Sequence, residues 1–360
     1  MNKIKIAHIT SVHDHKDIRI FIKECRSLSK KYEVHLFNKE FEGIIEGVIF
    51  HKVPFMKNKI LRLFSSWYLA LIATFSKNYK VIHFHDPELI FATPFWKILG
   101  KKVVYDIHEN YPKQIDQRKN IPVPIRFFFV IIIRFVEVFF SVFIDLIIVV
   151  LDDLRPNLAK INKHITIGNT PIIDYTFQKK ERLMQFCYIG AMSEERGLHK
   201  ISKILNKKNI DLVLAGNFSS ESFKNQILSF ENVRYEGLVA RDRIIEIVSD
   251  SVCGICTFLP TPNHLNSSPN KFFEYLAYGT PVLASNFQTW LNFIPSDKSF
   301  IYYIDPESTH EIENAVDKIV GLTSEKINQK GLDGHIFIEK NFNWNKEEKK
   351  LLRAYEKLLV

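Results

Sequence analysis

The chain has 360 residues, too many for one ordinary hydrophobic core, so its length favours two domains and excludes a single small module. Hydrophobic residues make up 46% and charged residues 25% of the chain, which is typical of globular proteins and excludes collagenous, low-complexity and wholly disordered sequences. The excess of 49 Lys and Arg over 40 Asp and Glu gives a net charge of +9, which indicates an anionic partner: nucleic acid, a membrane surface or a phosphorylated small molecule.

The first half alternates short apolar segments with longer helical patterns, as in βαβ units on a parallel sheet. The predicted strands are 5–10, 33–37, 48–53, 81–85, 102–107 and 145–151. The predicted helices are 17–31, 58–77, 87–99 and 123–143. The N-terminal segment is predicted to be a strand and not a secretion signal, because Lys5 and His8 interrupt its apolar residues. We therefore expect a cytoplasmic protein.

The alternation restarts after residues 165–180. The predicted strands of this second half are 184–190, 211–216, 232–237, 251–258 and 280–285, and the predicted helices are 197–207, 219–230, 241–249 and 269–278. A final amphipathic helix begins near Trp344. The sequence therefore predicts an α/β chain with two doubly wound domains, residues 1–168 and 181–340, followed by a C-terminal helix at 341–360.

Histidines concentrate at the strand ends of the first half. Six of the 13 lie there: His8, His13, His15, His83, His85 and His108. Metal binding is one interpretation, but no HExxH or other compact ligand motif appears, so we expect no metal. We expect His8 and His83 to be hydrogen-bonded structural residues. His108, two positions after Asp106 and beside Glu109, is placed to contact a polar substrate.

A predicted anion site follows the strand that ends at Gly190. The loop carries Ser193, and Arg196 and Gly197 then open a helix. Helix N-termini bind anions, and an arginine beside one adds donors that suit phosphate. The alternative is that Arg196 is only a solvated residue of the first turn.

The segment 263–286 is the most informative part of the sequence. Ser267, Ser268, Pro269 and Asn270 have the pattern of a helix start, and Gly279 ends the helix. Glu274 is one turn from Lys271, so its carboxylate can accept from both hydroxyls of a ribose while the helix N-terminus takes phosphate oxygens. The alternative is an ordinary surface ion pair between Lys271 and Glu274.

The four cysteines, Cys25, Cys187, Cys253 and Cys256, are too few for a disulfide framework, which indicates a reducing compartment. Cys253 and Cys256 form a CxxC, but no second pair follows at zinc-finger spacing. Because segment 251–258 has the pattern of a buried strand, we expect inert core cysteines.

Residues 127–150 approach the hydrophobicity of a membrane-spanning helix. Arg134, Glu137 and Asp145 interrupt them, each at a cost of about 2.5–3.5 kcal/mol at a bilayer centre, so spanning is not expected. Two alternatives stay open: core packing, or an outer face on lipid. Segment 55–75 adds basic residues beside Trp67, and we favour peripheral association with an anionic membrane surface.

Five motifs together resemble glycosyltransferase family 4, the retaining sugar-nucleotide transferases of the GT-B fold, particularly those of bacterial polysaccharide and O-antigen synthesis. They occur in order between residues 13 and 285: HDHKDIRIFIKE, HFHDPEL, VVYDIHENYP, YIGAMSEERG and SPNKFFEYLAYGTPVLAS. The resemblance covers the chain from about residue 5 to residue 340. The resemblance implies two Rossmann-like domains that face a central cleft, residues 1–168 on the acceptor side and residues 181–340 binding the nucleotide-sugar. It also implies that the C-terminal helix returns to the N-terminal domain.

The implied activity is hexosyl transfer from a nucleotide-sugar to a lipid-linked or glycan acceptor in cell-surface polysaccharide or capsule synthesis, without metal or other cofactor. The resemblance implies that His108 contacts the donor sugar, Arg196 replaces a diphosphate-binding lysine and Glu274 holds the ribose. With Lys271 these form the predicted catalytic set. The predicted donor site consists of Gly190, Arg196, Asn266, Ser268, Pro269, Asn270, Lys271 and Glu274. The predicted acceptor side consists of His13, Asp14, Arg19, His85, Asp86 and Glu109.

Three positions depart from the family pattern. Asn266 stands where many members have the first Glu of the E-x7-E signature, and Ala191 stands where the pattern GRxxxxKG has an Arg. The first loop has residues 13–15 in place of a glycine pair. Lys271 is the expected substitute for the missing phosphate ligand.

Two other functions remain as alternatives. A GT-B-like sugar-nucleotide epimerase or hydrolase would need carboxylates where this chain has Asn266. A non-catalytic binding protein is less favoured, and nucleic-acid binding is not expected, because Arg196 and Lys271 lie at predicted cleft helices. The expected location is the cytoplasm, on the inner face of the cytoplasmic membrane.

Overall fold

The computed structural model describes residues 3–53, 71, 75, 78–107, 115, 121–151, 158, 163–265, 267–268 and 270–360. The chain divides into two compact units. The first comprises Met1–Asn169 together with Trp344–Val360, and the second comprises Thr170–Asn343.

The first unit is built on an eight-stranded sheet. Its strands are β1 Lys5–Ile9, β2 Glu33–Asn38, β3 Gly43–Ile45, β4 Val48–Lys52, β5 Val81–Phe84, β6 Lys102–Ile107, β7 Leu146–Val149 and β8 His164–Thr166. They lie in the order β3-β4-β2-β1-β5-β6-β7-β8, and all neighbours are parallel except β3 and β4. The central strands β1, β5 and β7 are almost wholly buried, as expected for a parallel sheet covered on both faces.

Helices connect these strands. They are α1 Ile18–Cys25, α2 Arg26–Ser29, α3 Pro87–Ala92, α4 Thr93–Ile98 and α5 Val123–Ser141. The first of them is a π-helix whose N-terminus is capped by Asp17, which accepts a 2.8 Å hydrogen bond from the backbone N–H of Ile20. A π-helix is wider than an α-helix and is rare.

The second unit contains a six-stranded sheet in which all neighbours are parallel. Its strands are β9 Leu183–Ile189, β10 Asp211–Ala215, β11 Val233–Tyr235, β12 Ser251–Cys256, β13 Val282–Ser285 and β14 Ile301–Ile304. The order β11-β10-β9-β12-β13-β14 is the 3-2-1-4-5-6 order of a Rossmann fold.

The helices of the second unit follow the same alternation. They are α6 Glu194–Arg196, α7 Leu198–Lys207, α8 Glu221–Leu228, α9 Arg241–Asp250, α10 Pro262–Leu265, α11 Asn270–Ala277, α12 Gln288–Phe293, α13 Thr309–Val320 and α14 Ser324–Asn341. Their apolar faces join the strands in one core.

The last helix, α15 Trp344–Leu359, belongs to the first unit. The indole N–H of Trp344 donates to the Ser27 hydroxyl at 2.9 Å, and the Tyr355 hydroxyl lies 2.7 Å from Nδ1 of His83. These contacts confirm the prediction that the C-terminal helix returns to the N-terminal part of the chain.

The predicted α/β fold with two doubly wound parallel sheets is confirmed. The strands β3, β8 and β14 were not predicted; β3 and β8 are only three residues long, and β3 is antiparallel. The predicted helix 58–77 lies outside the described residues except for Leu71 and Phe75. All four cysteines are buried and free. No described helix has both the length and the apolar character needed to cross a membrane.

Candidate active site

The second unit has a topological switch point between β9 and β12, where the strand order changes direction. Ligands of open parallel sheets bind at the carboxyl ends of the strands on either side of such a point. Gly190 directly follows β9, and Thr257 directly follows β12. The predicted donor-site residues that the structure describes collect at these two strand ends.

Lys271 lies across the end of β9 because residue 190 is a glycine. Gly190 has φ +127°, and a Cβ added there would lie 2.4 Å from Cε of Lys271. The same crowding continues at Gly216, where an added Cβ would lie 2.1 Å from the carbonyl oxygen of Gly190. A side chain at residue 190 would therefore displace the lysine from the strand end.

Lys271 and Glu274 lie one turn apart on α11, with Nζ of the lysine 3.4 Å from Oε2 of the glutamate. Their side chains are 28% and 36% exposed. The ion pair that the sequence allowed as an alternative is therefore present. Both groups nevertheless keep a solvent-accessible face, so they remain available to a polar ligand.

Buried contacts fix the position of α11. The Tyr275 hydroxyl accepts a 2.9 Å hydrogen bond from the backbone N–H of Ile189, and its ring occupies the space above Gly254. Gly279, at φ +73°, ends the helix, as the sequence predicts. These contacts hold α11 against β9 and β12 and so fix the backbone positions from which the side chains of Lys271 and Glu274 extend.

Arg196 lies at the end of the short helix α6, and its guanidinium carbon is 4.2 Å from the centroid of the Phe258 ring. This is a cation–π contact. Gly197, at φ +70°, lets the loop pass close to β12, since an added Cβ would lie 2.0 Å from the carbonyl oxygen of Thr257. Burial raises the pKa of the Cys256 thiol to about 12, while Arg196 and Lys271 both act to lower it. Both cations therefore act at the end of β12.

The start of α11 is only partly described. The backbone N–H of Asn270 donates to the carbonyl oxygen of Ser268 at 3.1 Å. The hydroxyl of Ser267 donates to the carbonyl oxygen of His264 at 3.0 Å. Asn266 and Pro269 lie outside the described residues.

Thr257 is a candidate site residue that the sequence did not reveal. Its hydroxyl is buried and has no hydrogen-bond partner among the residues that the structure describes. Buried hydroxyls are normally paired, so one at a switch point is a candidate for ligand contact. Its signal in the sequence is only a threonine after an apolar strand, which is too common to single out.

In the first unit, the switch point lies between β1 and β5. Asp86, which follows β5, accepts from the Thr10 hydroxyl at 2.9 Å and from the backbone N–H of Ser11 at 2.5 Å. Nε2 of His13 lies 3.7 Å from the second oxygen of Asp86. Asp14 is exposed on the same loop. The structure thus brings together His13 and Asp86 from the predicted acceptor side.

Arg19 and His85 meet at a third side chain, Asp106. Arg19 donates to both carboxylate oxygens at 2.8 and 2.6 Å, and Nδ1 of His85 lies 3.2 Å from Oδ2. Burial alone would lower the pKa of Arg19, but Asp106 and Glu24 outweigh it and keep the guanidinium charged. Since Arg19 is only 5% exposed, it positions Asp106. His108 and Glu109 lie outside the described residues.

No family model and no curated protein matches the sequence. Solved structures do match over nearly the whole chain. A sucrose-phosphate synthase from Thermosynechococcus elongatus has a TM-score of 0.76 and 15% identity, covering 99% of both chains. A glycosyltransferase from Rickettsia africae has a TM-score of 0.68 and 15% identity, covering 100% of this chain and 99% of its own. An E. coli trehalose-6-phosphate structure bound with UDP-2-fluoro glucose has a TM-score of 0.65 and 10% identity, covering 97% and 98%.

At these identities the likeness establishes the fold. The predicted GT-B fold is confirmed, because the neighbours are GT-B glycosyltransferases and match the chain from end to end.

Proposed function

We propose that the chain is a retaining glycosyltransferase that moves a hexosyl group from a nucleotide-sugar to a lipid-linked or glycan acceptor in cell-surface polysaccharide synthesis. The observation that carries the proposal is the packing of Lys271 over Gly190 at the end of β9, together with the stacking of Arg196 on Phe258 just past the end of β12. This arrangement places two cations and the start of α11 where a Rossmann-like sheet binds phosphate. The E. coli neighbour is bound with UDP-2-fluoro glucose, which agrees with such a donor.

The proposed chemistry needs stabilisation of a leaving group. Transfer breaks the bond between the anomeric carbon and the diphosphate oxygen, forms the bond to the acceptor oxygen, and passes the acceptor proton to a leaving phosphate oxygen. Negative charge therefore grows on the nucleoside diphosphate. Arg196 and Lys271 stabilise that charge through fixed positive groups, and no enzymic nucleophile is needed.

Glu274 would accept hydrogen bonds from the ribose hydroxyls. Its ion pair with Lys271 holds both side chains near the strand end before the donor binds. We propose His108 and Asn266 as contacts of the donor sugar, and His13, Asp14, Arg19, His85, Asp86 and Glu109 as the acceptor side. No metal or cofactor takes part in the proposed transfer step.

The test is a thermal-shift screen of UDP-, GDP-, ADP- and CMP-sugars, followed by transfer assays with the sugar that stabilises the chain. Ligand at 100 times its Kd should stabilise the native state by about 2.7 kcal/mol. Transfer should proceed equally with and without added Mg²⁺ or Mn²⁺. Product formation from donor alone would instead support the epimerase or hydrolase alternative, and absence of any stabilisation would contradict a donor site.

We also propose that the protein works on the inner face of the cytoplasmic membrane, with α5 as its lipid-binding element. The polarity of α5 is inverted: Glu137 and Ser141 are buried, whereas Phe127, Phe128 and Phe135 are 66%, 62% and 69% exposed. An exposed apolar face of this kind marks a surface that binds a partner or a membrane. The net charge of +9 favours an anionic membrane over an uncharged partner.

A further inference from the structure

A cluster of buried metal-ligating side chains lies on the sheet of the first unit. It consists of His8 on β1, Glu24 on α1, His83 on β5 and His85 just after β5, each at most 1% exposed. The register pairs His8 with His83, and His85 is two residues further along, so the three imidazoles share one face of the sheet. The ligand atoms that the four side chains offer lie within 4.8 Å of one another.

Hydrogen bonds around the cluster fix which ring nitrogens carry protons. Asp106 is a carboxylate that accepts, so His85 donates through Nδ1, 3.2 Å away. Nε2 of His85 is then an acceptor, and His8 donates to it through Nδ1 at 3.2 Å. Nδ1 of His83 is 2.7 Å from the Tyr355 hydroxyl, which can accept a hydrogen bond as well as donate one. His8 and His83 can therefore both present a lone pair on Nε2.

These lone pairs face a carboxylate and not a donor. Nε2 of His8, Nε2 of His83 and both oxygens of Glu24 are buried without a hydrogen-bond partner among the described residues. Nε2 of His83 is 3.8 Å from Glu24, too far for a hydrogen bond. A buried acceptor without a partner is destabilising, so four such acceptors this close together call for a shared positive charge.

The nearby guanidinium of Arg19 does not supply this positive charge to the cluster alone. Arg19 lies 3.3 Å from Glu24, but its guanidinium is already engaged with both oxygens of Asp106. One cation thus faces two buried carboxyl groups.

We propose that His8, His83 and Glu24 bind a divalent transition-metal ion, with Zn²⁺ as the ion that two imidazoles and a carboxylate suit best. His85, backed by Asp106, and Tyr355 orient the two ligand imidazoles from outside, as partners of zinc-bound histidines commonly do. Tetrahedral Zn²⁺ with bonds of about 2.0–2.2 Å would draw the ligand atoms together by roughly 1 Å. Glu24 lies on the π-helix α1, and such helical irregularities are frequent at functional sites.

The ion would be structural, joining β1, β5 and α1, and none of its ligands belongs to the proposed donor or acceptor residues. The full chain, expressed with Zn²⁺ in the medium and purified without chelator, should contain about one zinc per chain by elemental analysis. Production with Co²⁺ instead should give visible d–d bands typical of tetrahedral nitrogen and oxygen ligands. A folded wild-type chain without stoichiometric zinc or cobalt would overturn the proposal and assign a proton to Glu24.

Glu24→Gln removes the ligand charge while keeping the side-chain shape, so it should fold and lose the ion. The matched control is His35→Gln, which changes a histidine of β2 that is equally buried in the same unit but lies outside the cluster. The control should retain about one ion per chain, and its melting temperature, like that of wild type, should fall when zinc is removed. Full zinc content in a folded Glu24→Gln chain would also overturn the proposal. If that variant does not fold, the wild-type metal content and cobalt spectrum decide alone.

Discussion

Gly190 is a residue whose small size the donor site requires. Its φ of +127° suits glycine, and an added Cβ would lie 2.4 Å from Cε of Lys271. Gly190→Ala should therefore destabilise the second unit by about 3 kcal/mol through strain and overpacking, and should displace the lysine. We expect urea unfolding at lower denaturant and a loss of thermal stabilisation by nucleoside diphosphates.

Gly237→Ala separates backbone strain from the displaced lysine. Gly237 also has a positive φ, +70°, but an added Cβ there would meet no atom within 4 Å. This control should cost about 1 kcal/mol and keep nucleotide binding. Equal nucleotide binding in both variants would show that the position of Lys271 does not matter for the donor.

Glu274 and Arg196 should differ in their effects on kinetics. Glu274→Ala removes the proposed ribose acceptor, and loss of charged hydrogen bonds should weaken donor binding about 10–100-fold. Arg196→Ala removes stabilisation of a charge that develops during transfer, so kcat should fall by about 100-fold. Glu221→Ala and Lys203→Ala change exposed charges elsewhere in the unit and should leave both parameters unchanged. Near-normal kinetics in Glu274→Ala and Arg196→Ala would contradict the assigned donor site.

Asp17 gives the first unit a measurable pH dependence. Burial alone would raise its pKa, but hydrogen bonds from His13 and from the backbone N–H of Ile20 outweigh it and lower the pKa from 3.8 to about 2. Because the folded pKa is depressed, the stabilisation is present above the unfolded pKa and is lost as pH falls through about 2. Asp17→Asn should cost about 2 kcal/mol at pH 6 and roughly half as much at pH 3, measured by urea unfolding.

The control for this pH dependence is Asp14→Asn, on the same loop but with an exposed side chain. Its effect should stay within about 0.5 kcal/mol at either pH. A cost of Asp17→Asn that does not change with pH would mean that the carboxylate charge contributes nothing and that only the helix cap matters.

At the scale of elements, α5 exposes its apolar face and buries its polar residues, the reverse of an ordinary surface helix. Replacing Phe127, Phe128 and Phe135 together by Ser should weaken binding to anionic liposomes at least about 100-fold, because each buried phenylalanine contributes about 1.5–3 kcal/mol. Stability should change little, since the three rings are already exposed. Co-flotation with vesicles of anionic and zwitterionic lipid measures the effect.

The matched control is a triple serine variant of exposed apolar residues of the second unit, Leu183, Leu238 and Ile336. This variant removes three exposed apolar side chains from the second unit, and we expect it to co-float with anionic vesicles as the wild type does. Failure of the wild type to float at low salt would contradict the proposed membrane role of α5, and the apolar face would then need another partner.

Strands and helices were predicted well from the sequence wherever a local pattern of residues identifies them. Parallel strands such as β5 and β12 are continuous apolar segments, and α11 has both a start signal and Gly279 at its end. The short antiparallel β3 has no such signal. The sequence left open whether residues 127–143 pack in the core or place an outer face on lipid, since periodicity defines a face and not its neighbour.

At the scale of the whole molecule, the site was predicted in part. Lys271, Glu274 and Arg196 were found because they follow strands or open helices, which places them at one sheet edge. The packing of Lys271 over Gly190 and the buried hydroxyl of Thr257 depend on distances between segments far apart in sequence. The sequence grouped His8, His83 and His85 at strand ends but did not add Glu24, because Glu24 lies on α1 and the four residues form no compact motif.

The two units should respond differently to a nucleotide, because every described residue of the proposed donor site lies in Thr170–Asn343. Binding of a nucleoside diphosphate should slow amide hydrogen exchange at the strand ends around residues 190–197, 257–258 and 270–275. Nucleotide at 100 times its Kd stabilises the native state by about 2.7 kcal/mol, and this free energy is the upper limit of the added protection against exchange. Exchange in the sheet of the first unit should remain unchanged, as should exchange in the Glu274→Ala chain. Protection centred on the ends of β1 and β5 would instead assign the nucleotide to the first unit and reverse the proposed donor and acceptor sides.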